Sequence, residues 1–216
     1  MRIGVLGTGA VGSAIATRMM QLGHEVAMGS RSADGEALAA WVETAGEDAK
    51  GGSFAEAAAG AELIFNCTAG IASLEALEAA GAENLAGKTL VDVAVPLDFS
   101  QGMPPRLAFC NDESLGERIQ AAHPEARVVK TLNTVNCAVM VDPGKVRGDH
   151  VIFVCGDDGA AKAQVSALLV AIGWPADSIL DLGGIESARA TEMYLPLWLA
   201  LYGHFGDAEF NIALAR

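Results

Sequence analysis

The sequence predicts an α/β protein of the Rossmann type: a doubly wound, mostly parallel sheet followed by a small C-terminal helical segment. Three observations carry that prediction. A short apolar run, Ile3 to Leu6, feeds directly into Gly7-x-Gly9-x-x-Gly12. An Ala-rich stretch with helical periodicity follows the last glycine. Strand-like and helix-like stretches then alternate along most of the 216 residues, the pattern of a sheet with helices on both faces.

The elements read in order as follows. Ile3–Leu6 is a buried strand, and residues 13–22 form a helix stopped by Gly23. Residues 24–29 make the second strand and 34–44 a helix. A short strand at 51–54 and a short helix at 55–59 come next. Residues 61–67 are a fourth strand and 71–80 a helix. The fifth strand, 88–95, is stopped by Pro96. A loop with glycine and proline, 97–106, leads to a helix at 114–122. Strands follow at 126–132 and 151–155, then a helix at 160–172 and a strand at 178–182. Residues 186–216 read as mostly helical and rich in large apolar groups. Two units are therefore expected: a nucleotide-binding domain over 1–182, and a segment over 183–216 that covers the active site or a dimer interface.

The glycine spacing is the fingerprint of a dinucleotide-binding turn. Gly7 permits the tight turn, Gly9 admits a pyrophosphate to the backbone, and Gly12 lets the helix pack closely. A pyrophosphate would be held by Gly7, Thr8, Gly9, Ala10, Val11 and Gly12, where free N–H groups and the helix dipole favour an anion. A site selective for NAD would end the second strand in a carboxylate that accepts from the ribose 2′-OH. Here the strand ends Gly29-Ser30-Arg31-Ser32. A guanidinium can grip a 2′-phosphate with two N–H bonds, and a carboxylate would repel it. This points to NADP, although Asp34 and Glu36 close behind weaken the local positive field.

Composition narrows the function classes. The formal net charge is −13 and 51% of the residues are hydrophobic. That balance argues against nucleic acid or an anionic membrane as partners. No apolar run reaches the length of a membrane span, and glycines interrupt the first one, so a soluble cytoplasmic protein is expected. Cys67, Cys110, Cys137 and Cys155 show neither CxxC spacing nor His clustering, which reads as reduced structural thiols with no metal site.

In such sheets ligands lie beyond the carboxyl ends of the strands. The loops after the fourth, fifth and sixth strands should therefore line the nicotinamide end and a small-molecule substrate. Their candidate residues are Thr68 and Ala69, Val95 and Pro96, and Asn133 and Val135. Asn133 and Thr134 could hold a carboxamide or substrate, or satisfy loop backbone groups instead. Asp98 reads as a solvated carboxylate or as a general acid. No His or Lys stands out as a proton donor, and no catalytic residue is assigned.

Several segments together resemble one family. Gly7-Thr-Gly-Ala-Val-Gly12, Gly29-Ser-Arg31 and Val129-Lys-Thr-Leu-Asn-Thr-Val135 carry the likeness, with Phe153-Val-Cys-Gly-Asp-Asp158, Gly173-Trp174, Asp181 to Arg189 and Phe210-Asn-Ile-Ala-Leu214. They resemble the NADPH-dependent coenzyme F420 reductases, the deazaflavin-linked NADP oxidoreductases, over essentially the whole chain. The resemblance implies NADP across Gly7 to Gly12 with its 2′-phosphate at Ser30 and Arg31. It also implies coenzyme F420 as second substrate, stacked on the nicotinamide for direct hydride transfer. Positions 33–36, where family members tend to carry a basic residue, are Ala-Asp-Gly-Glu here. For the anionic deazaflavin tail the sequence offers Arg106, Lys130, Lys145, Arg147 and Arg189.

Other readings remain at this level. One is an NADPH-dependent reductase of a small imine or carbonyl acceptor, with Tyr194, Leu195, Leu197, Trp198, Tyr202 and Phe205 walling its pocket. Another is a sensor that binds NADPH without turnover. The same apolar segment reads also as core or dimer packing, and it is too short to bury its own side chains as a separate core. A homodimer is therefore expected.

Overall fold

A computed structural model describes residues 1–46 and 49–215. Eight strands form one sheet in the order β10-β9-β8-β5-β4-β1-β2-β3. These are β1 Arg2–Leu6, β2 Glu25–Ser30, β3 Lys50–Ser53, β4 Leu63–Asn66, β5 Thr89–Asp92, β8 Arg127–Thr131, β9 Ile152–Cys155 and β10 Ile179–Asp181. The six from β3 to β8 run parallel. β9 lies antiparallel to β8, and β10 runs parallel to β9. The Rossmann-type, mostly parallel sheet is therefore present, with a reversed pair at one edge.

Helices cover both faces. On one face α1 (Ala10–Gln21), α2 (Glu36–Ala45), α7 (Cys137–Val141) and α8 (Gly159–Ile172) bury Ile15, Met19, Leu38, Trp41, Val139 and Leu169 against Ile3, Val5, Phe65 and Val129. On the other face lie α3 (Phe54–Ala59), α4 (Ser73–Ala80), α5 (Ala82–Leu85), α6 (Leu115–Ala122) and α9 (Ala188–Met193). They bury Phe54, Leu77, Leu85, Ile119 and Ala188 against Leu6, Ile64, Leu90 and Val128. Neighbouring strand residues thus feed opposite layers, as the pleat requires. The middles of β1, β4, β5 and β8 (Ile3–Leu6, Leu63–Phe65, Leu90–Val91 and Val128–Val129) are apolar because both faces are covered.

Side-chain caps fix several helix starts. Ser53 and Glu56 form a reciprocal capping box on α3, and Ser114 and Asp158 cap α6 and α8. α1 differs. Its N-cap is Gly9, with no side-chain cap and no acidic residue in the first turn.

Some expectations need correction. The first helix begins at Ala10, inside the glycine motif, rather than at Ser13. The fifth strand ends at Asp92, because Val93–Val95 leave the sheet to line a cleft. The loop at 97–106 contains a small antiparallel ribbon, β6 (Leu97–Asp98) with β7 (Arg106–Leu107). Helices α5 and α7, of 4 and 5 residues, are too short to show periodicity in sequence. In the C-terminal stretch α10 (Leu195–Phe205) is followed by a tail without regular structure. That tail returns to the sheet, where Val151 N–H donates to the Ile212 carbonyl at 3.0 Å.

Candidate functional site

The glycine turn sits where the ends of β2, β1 and β4 meet. Gly7 N–H donates to the Gly29 carbonyl at 2.9 Å, and Cys67 N–H donates to the Leu6 carbonyl at 2.8 Å. Gly7 has φ +118°, a conformation that side chains rarely adopt. A Cβ on Gly12 would lie 2.0 Å from the Gly7 carbonyl oxygen, so the turn and the helix start exclude one there. Gly9 is different. Its φ is −73°, and a Cβ there meets nothing within 4 Å. The chain itself does not require glycine at position 9, so the space in front of it fits an approaching ligand. The uncapped N–H groups of Ala10, Val11 and Gly12 open the same space to an anion.

Ser30 and Arg31 adjoin this turn at the end of β2. Ser30 folds back locally: its hydroxyl donates to the Ser32 carbonyl, and Ser32 N–H donates to the Ser30 hydroxyl at 3.2 Å. The Arg31 side chain is exposed and has no ion pair among the described residues.

A cleft of about 290 Å³ opens past the ends of β4, β5 and β8. Its lining brings together Val11, Thr68, Ala69, Val95, Asn133 and Val135, six of the residues singled out from sequence. Pro96 is buried just behind it. Cys67, Ala94, Leu97, Phe99, Met140 and Leu195 complete much of the wall. Among the described residues no charged side chain lines the cleft, and the one titratable group in its lining is the Cys67 thiol. Burial first, and then the Asp92 charge, push that thiol far above its ordinary range. A larger open hollow of about 590 Å³ runs along α1 between Ser13, Thr17, Gln21 and Asp142. None of the strand-end loops named above borders it.

Two buried polar atoms of the loop after β8 lack partners, and one of them, on Asn133, belongs to a residue that lines the cleft. Asn133 Nδ2 and Thr134 Oγ1 are buried with no hydrogen bond among the described residues. A buried unsatisfied donor is costly, so it marks a place where a ligand would supply the missing partner. The residue before them, Leu132, is held at φ +63° and buried. Such strain in a branched residue is uncommon away from functional loops.

Asp98 is a turn carboxylate. It accepts from Ser100 N–H at 2.8 Å and from Ser100 Oγ at 2.9 Å, and these bonds hold its pKa below the ordinary value. A group so held is ionised and has no proton to donate.

The candidate cations also need correction. Lys130 is wholly buried, 2.8 Å from Asp92 and 2.7 Å from Glu192, and cannot meet a substrate tail. Lys145 pairs with Glu209 at 3.0 Å and Arg189 with Glu117 at 2.5 Å. Arg106 and Arg147 are exposed. Sequence reading missed the buried group of Asn66, Asp92, Lys130 and Glu192. Its one signal was a polar residue at or beside the carboxyl end of three strands: Asn66 on β4, Asp92 on β5 and Lys130 on β8.

Helix α10 does not form core, whereas Ile185 and Ala188 ahead of it do. No residue of α10 is buried, and Leu197, Tyr202 and Phe205 are exposed. Leu195 alone of that group lines the cleft. Trp198 stacks on Tyr202 and on Phe210, with centroids 5.5 and 5.3 Å apart. All four cysteines are free, and no helix among the described residues is long and apolar enough to cross a membrane.

Comparison with known proteins bears on the same region. Residues 2–96 match the family described as NADP oxidoreductase coenzyme F420-dependent. The F420-dependent NADP reductase of Methanothermobacter marburgensis is 33% identical over 216 aligned positions, covering 93% of this chain and 92% of that protein. The rat metalloreductase STEAP3 is 32% identical over 91% of this chain, which spans only 38% of that protein's length. A crystal structure from Arthrobacter sp. FB24, named as a candidate F420-dependent NADP-reductase, superposes with TM-score 0.94 at 51% identity and covers 100% of both chains.

Proposed function

This chain belongs to the family of F420-dependent NADP reductases, and from that premise we propose how its residues serve an NADP-dependent hydride transfer with coenzyme F420. The observation that carries the reading is the uncharged cleft without a proton donor beside the glycine turn. Hydride passage between two stacked rings needs alignment and exclusion of water, and the proton that reduction of the deazaflavin also takes up comes from solvent after the transfer, so no positioned acid is required. Reduction of a carbonyl would need a proton delivered to the developing alkoxide. Neither the thiol of Cys67 nor the ionised Asp98 supplies one.

Residues 1–182 are the nucleotide-binding unit in this reading. Gly7, Thr8, Gly9, Ala10, Val11 and Gly12 hold the diphosphate on the N-terminus of α1. Ser30 and Arg31 hold the 2′-phosphate, with Arg31 as its single obvious cation. Asn133 Nδ2 and Thr134 Oγ1 donate to a carboxamide or to a ring carbonyl. Thr68, Ala69, Val95, Pro96 and Val135 shape the apolar wall. Bound NADP supplies or accepts the hydride; the protein contributes orientation and dryness.

In this reading the C-terminal segment, residues 183–216, reaches the cleft through Leu195, and the exposed apolar side of α10 pairs with a second copy in a homodimer. Leu197, Tyr202 and Phe205 otherwise leave an apolar patch in water, which soluble monomers avoid. Four free thiols suit the reducing cytoplasm.

The test is NADPH oxidation followed at 340 nm with purified coenzyme F420 as acceptor. Turnover that needs both reagents is expected. Tight NADPH binding with no hydride transfer to the deazaflavin would overturn the assignment of the acceptor.

A further inference from the structure

A buried charge group lies behind the cleft walls, and hydride transfer as described does not use it. The side chains of Lys130, Asp92 and Glu192 are 0%, 0% and 3% exposed. Lys130 Nζ donates to Asp92 Oδ2 at 2.8 Å and to the Ala94 carbonyl, and lies 2.7 Å from Glu192 Oε1. The remaining partners are neutral. Asn66 Nδ2 donates to Asp92 Oδ1 at 2.8 Å. Leu115 N–H and Gly116 N–H, at the start of α6, donate to Glu192 at 2.9 and 3.2 Å. The Lys162–Asp181 pair at the end of β10 is balanced within itself at 2.8 Å. Burial works against the Lys130 ammonium, but Asp92 and Glu192 outweigh it and hold the group protonated.

The group therefore sets one cation against two carboxylates. Its surplus is negative, lies away from solvent, and is softened only by backbone and amide dipoles. It also shares residues with the cleft. Ala94 lines the cleft while its N–H donates to Asp92 at 3.2 Å. Thr68 also lines the cleft and donates to Asn66 Oδ1 at 2.6 Å. Among the described residues, none that lines the cleft is charged, so no lining charge offsets this surplus at a ring held there.

We propose that the buried surplus of negative charge on Asp92, Lys130 and Glu192 biases the site toward the oxidised nucleotide. A nicotinamide ring is cationic when oxidised and neutral when reduced, so the surplus tightens NADP⁺ relative to NADPH. Bound NADPH thereby becomes the better hydride donor, which favours reduction of the deazaflavin over reduction of NADP⁺. This rests on the nucleotide site proposed above.

The experiment measures dissociation constants of NADP⁺ and NADPH by calorimetry for the unaltered chain, Glu192→Gln and Asp92→Asn. Each substitution removes one buried negative charge. The ratio of the NADP⁺ constant to the NADPH constant should rise by about 3- to 10-fold in each variant. Glu117→Gln removes a negative charge from a part-exposed pair, and its ratio should stay within about 2-fold because solvent and salt screen it. Thermal melting identifies folded variants, and either buried carboxylate suffices if the other variant fails to fold. Both constants moving by one common factor, as from a loosened cleft, would overturn the inference. So would a falling ratio, or an equal rise in Glu117→Gln. An unaltered chain that binds neither nucleotide overturns the site itself and this inference with it. Tight binding with an unmoved ratio overturns the charge bias alone.

Discussion

The Cβ that an alanine would place on Gly12 falls 2.0 Å from the carbonyl oxygen of Gly7, whereas the same atom on Gly9 meets nothing within 4 Å. Two glycines of one motif are thus glycines for different reasons. Gly12 is demanded by the fold. The demand at Gly9 comes from whatever approaches the turn.

That contrast predicts opposite behaviour for two variants. Gly12→Ala must push α1 away from the turn and should cost about 3 kcal/mol or more, on the scale of severe overpacking. Gly9→Val should keep its thermal midpoint within a few degrees while losing NADPH binding. Thermal melts and NADPH fluorescence titrations separate the two. Full NADPH affinity in Gly9→Val would reduce the motif to a packing turn.

Arg31→Ala should weaken NADPH by roughly 1–3 kcal/mol, the scale of a charge-assisted bond. NADH should be nearly unaffected. The exposed side chain makes no ion pair among the described residues, so stability should not change measurably. Equal losses for both cofactors would remove the 2′-phosphate role.

The buried Asn133 amide nitrogen has no hydrogen-bond partner among the described residues. Removing an unsatisfied donor offsets part of the lost packing, so Asn133→Ala should melt within a few degrees of the unaltered protein. Turnover should fall by roughly 10-fold through misalignment, on the scale of one lost hydrogen bond. A loss of several orders of magnitude with intact NADPH binding would instead mean acid-assisted chemistry at this position.

Acid stability should depend on Glu117. Its carboxylate accepts from Arg189 at 2.8 and 2.5 Å and from Ser114 at 2.7 Å, tying α6 to α9. The Arg189 bonds lead in holding its pKa below the ordinary value, against an opposing effect of burial. The unfolded chain thus takes up this proton at a higher pH than the folded one. Stability from the pair is complete above the ordinary glutamate value of about 4.3 and is lost as pH falls through the depressed folded value. The midpoint of Glu117→Gln should therefore lie below that of the unaltered protein at pH 7 and converge with it under acid. Parallel curves from pH 7 to pH 3 would show that the pair contributes nothing.

Phe205→Glu combined with Tyr202→Glu places charge on the exposed side of α10. Sedimentation equilibrium at micromolar concentration should show a dimer for the unaltered chain and a monomer for the double variant. A monomeric unaltered chain would leave the apolar side of α10 without its proposed partner.

Short-range pattern by itself determined the fold class, the glycine turn and the loops that line the cleft. Glycine spacing after an apolar run, and alternation of periods near 2 and 3.6, are local properties that any chain of this architecture must show. The carboxyl-end rule then placed Thr68, Val95 and Asn133 near one another before any contact was known. Other features were decided only by the tertiary structure. The reversal of β9 depends on where a crossover lands, and its residues look the same in either direction. Lys130 read as a solvated cation because lysine is rarely buried unpaired. Its partners Asp92 and Glu192 lie 38 and 62 positions away and meet it only when β5, β8 and α9 pack. The apolar α10 looked equally like core or interface, because hydrophobicity along a helix says that a face needs covering and not what covers it. Pairing at a distance is the physical reason for each: a sequence states what every side chain needs, and only the packed chain brings the partner that satisfies it.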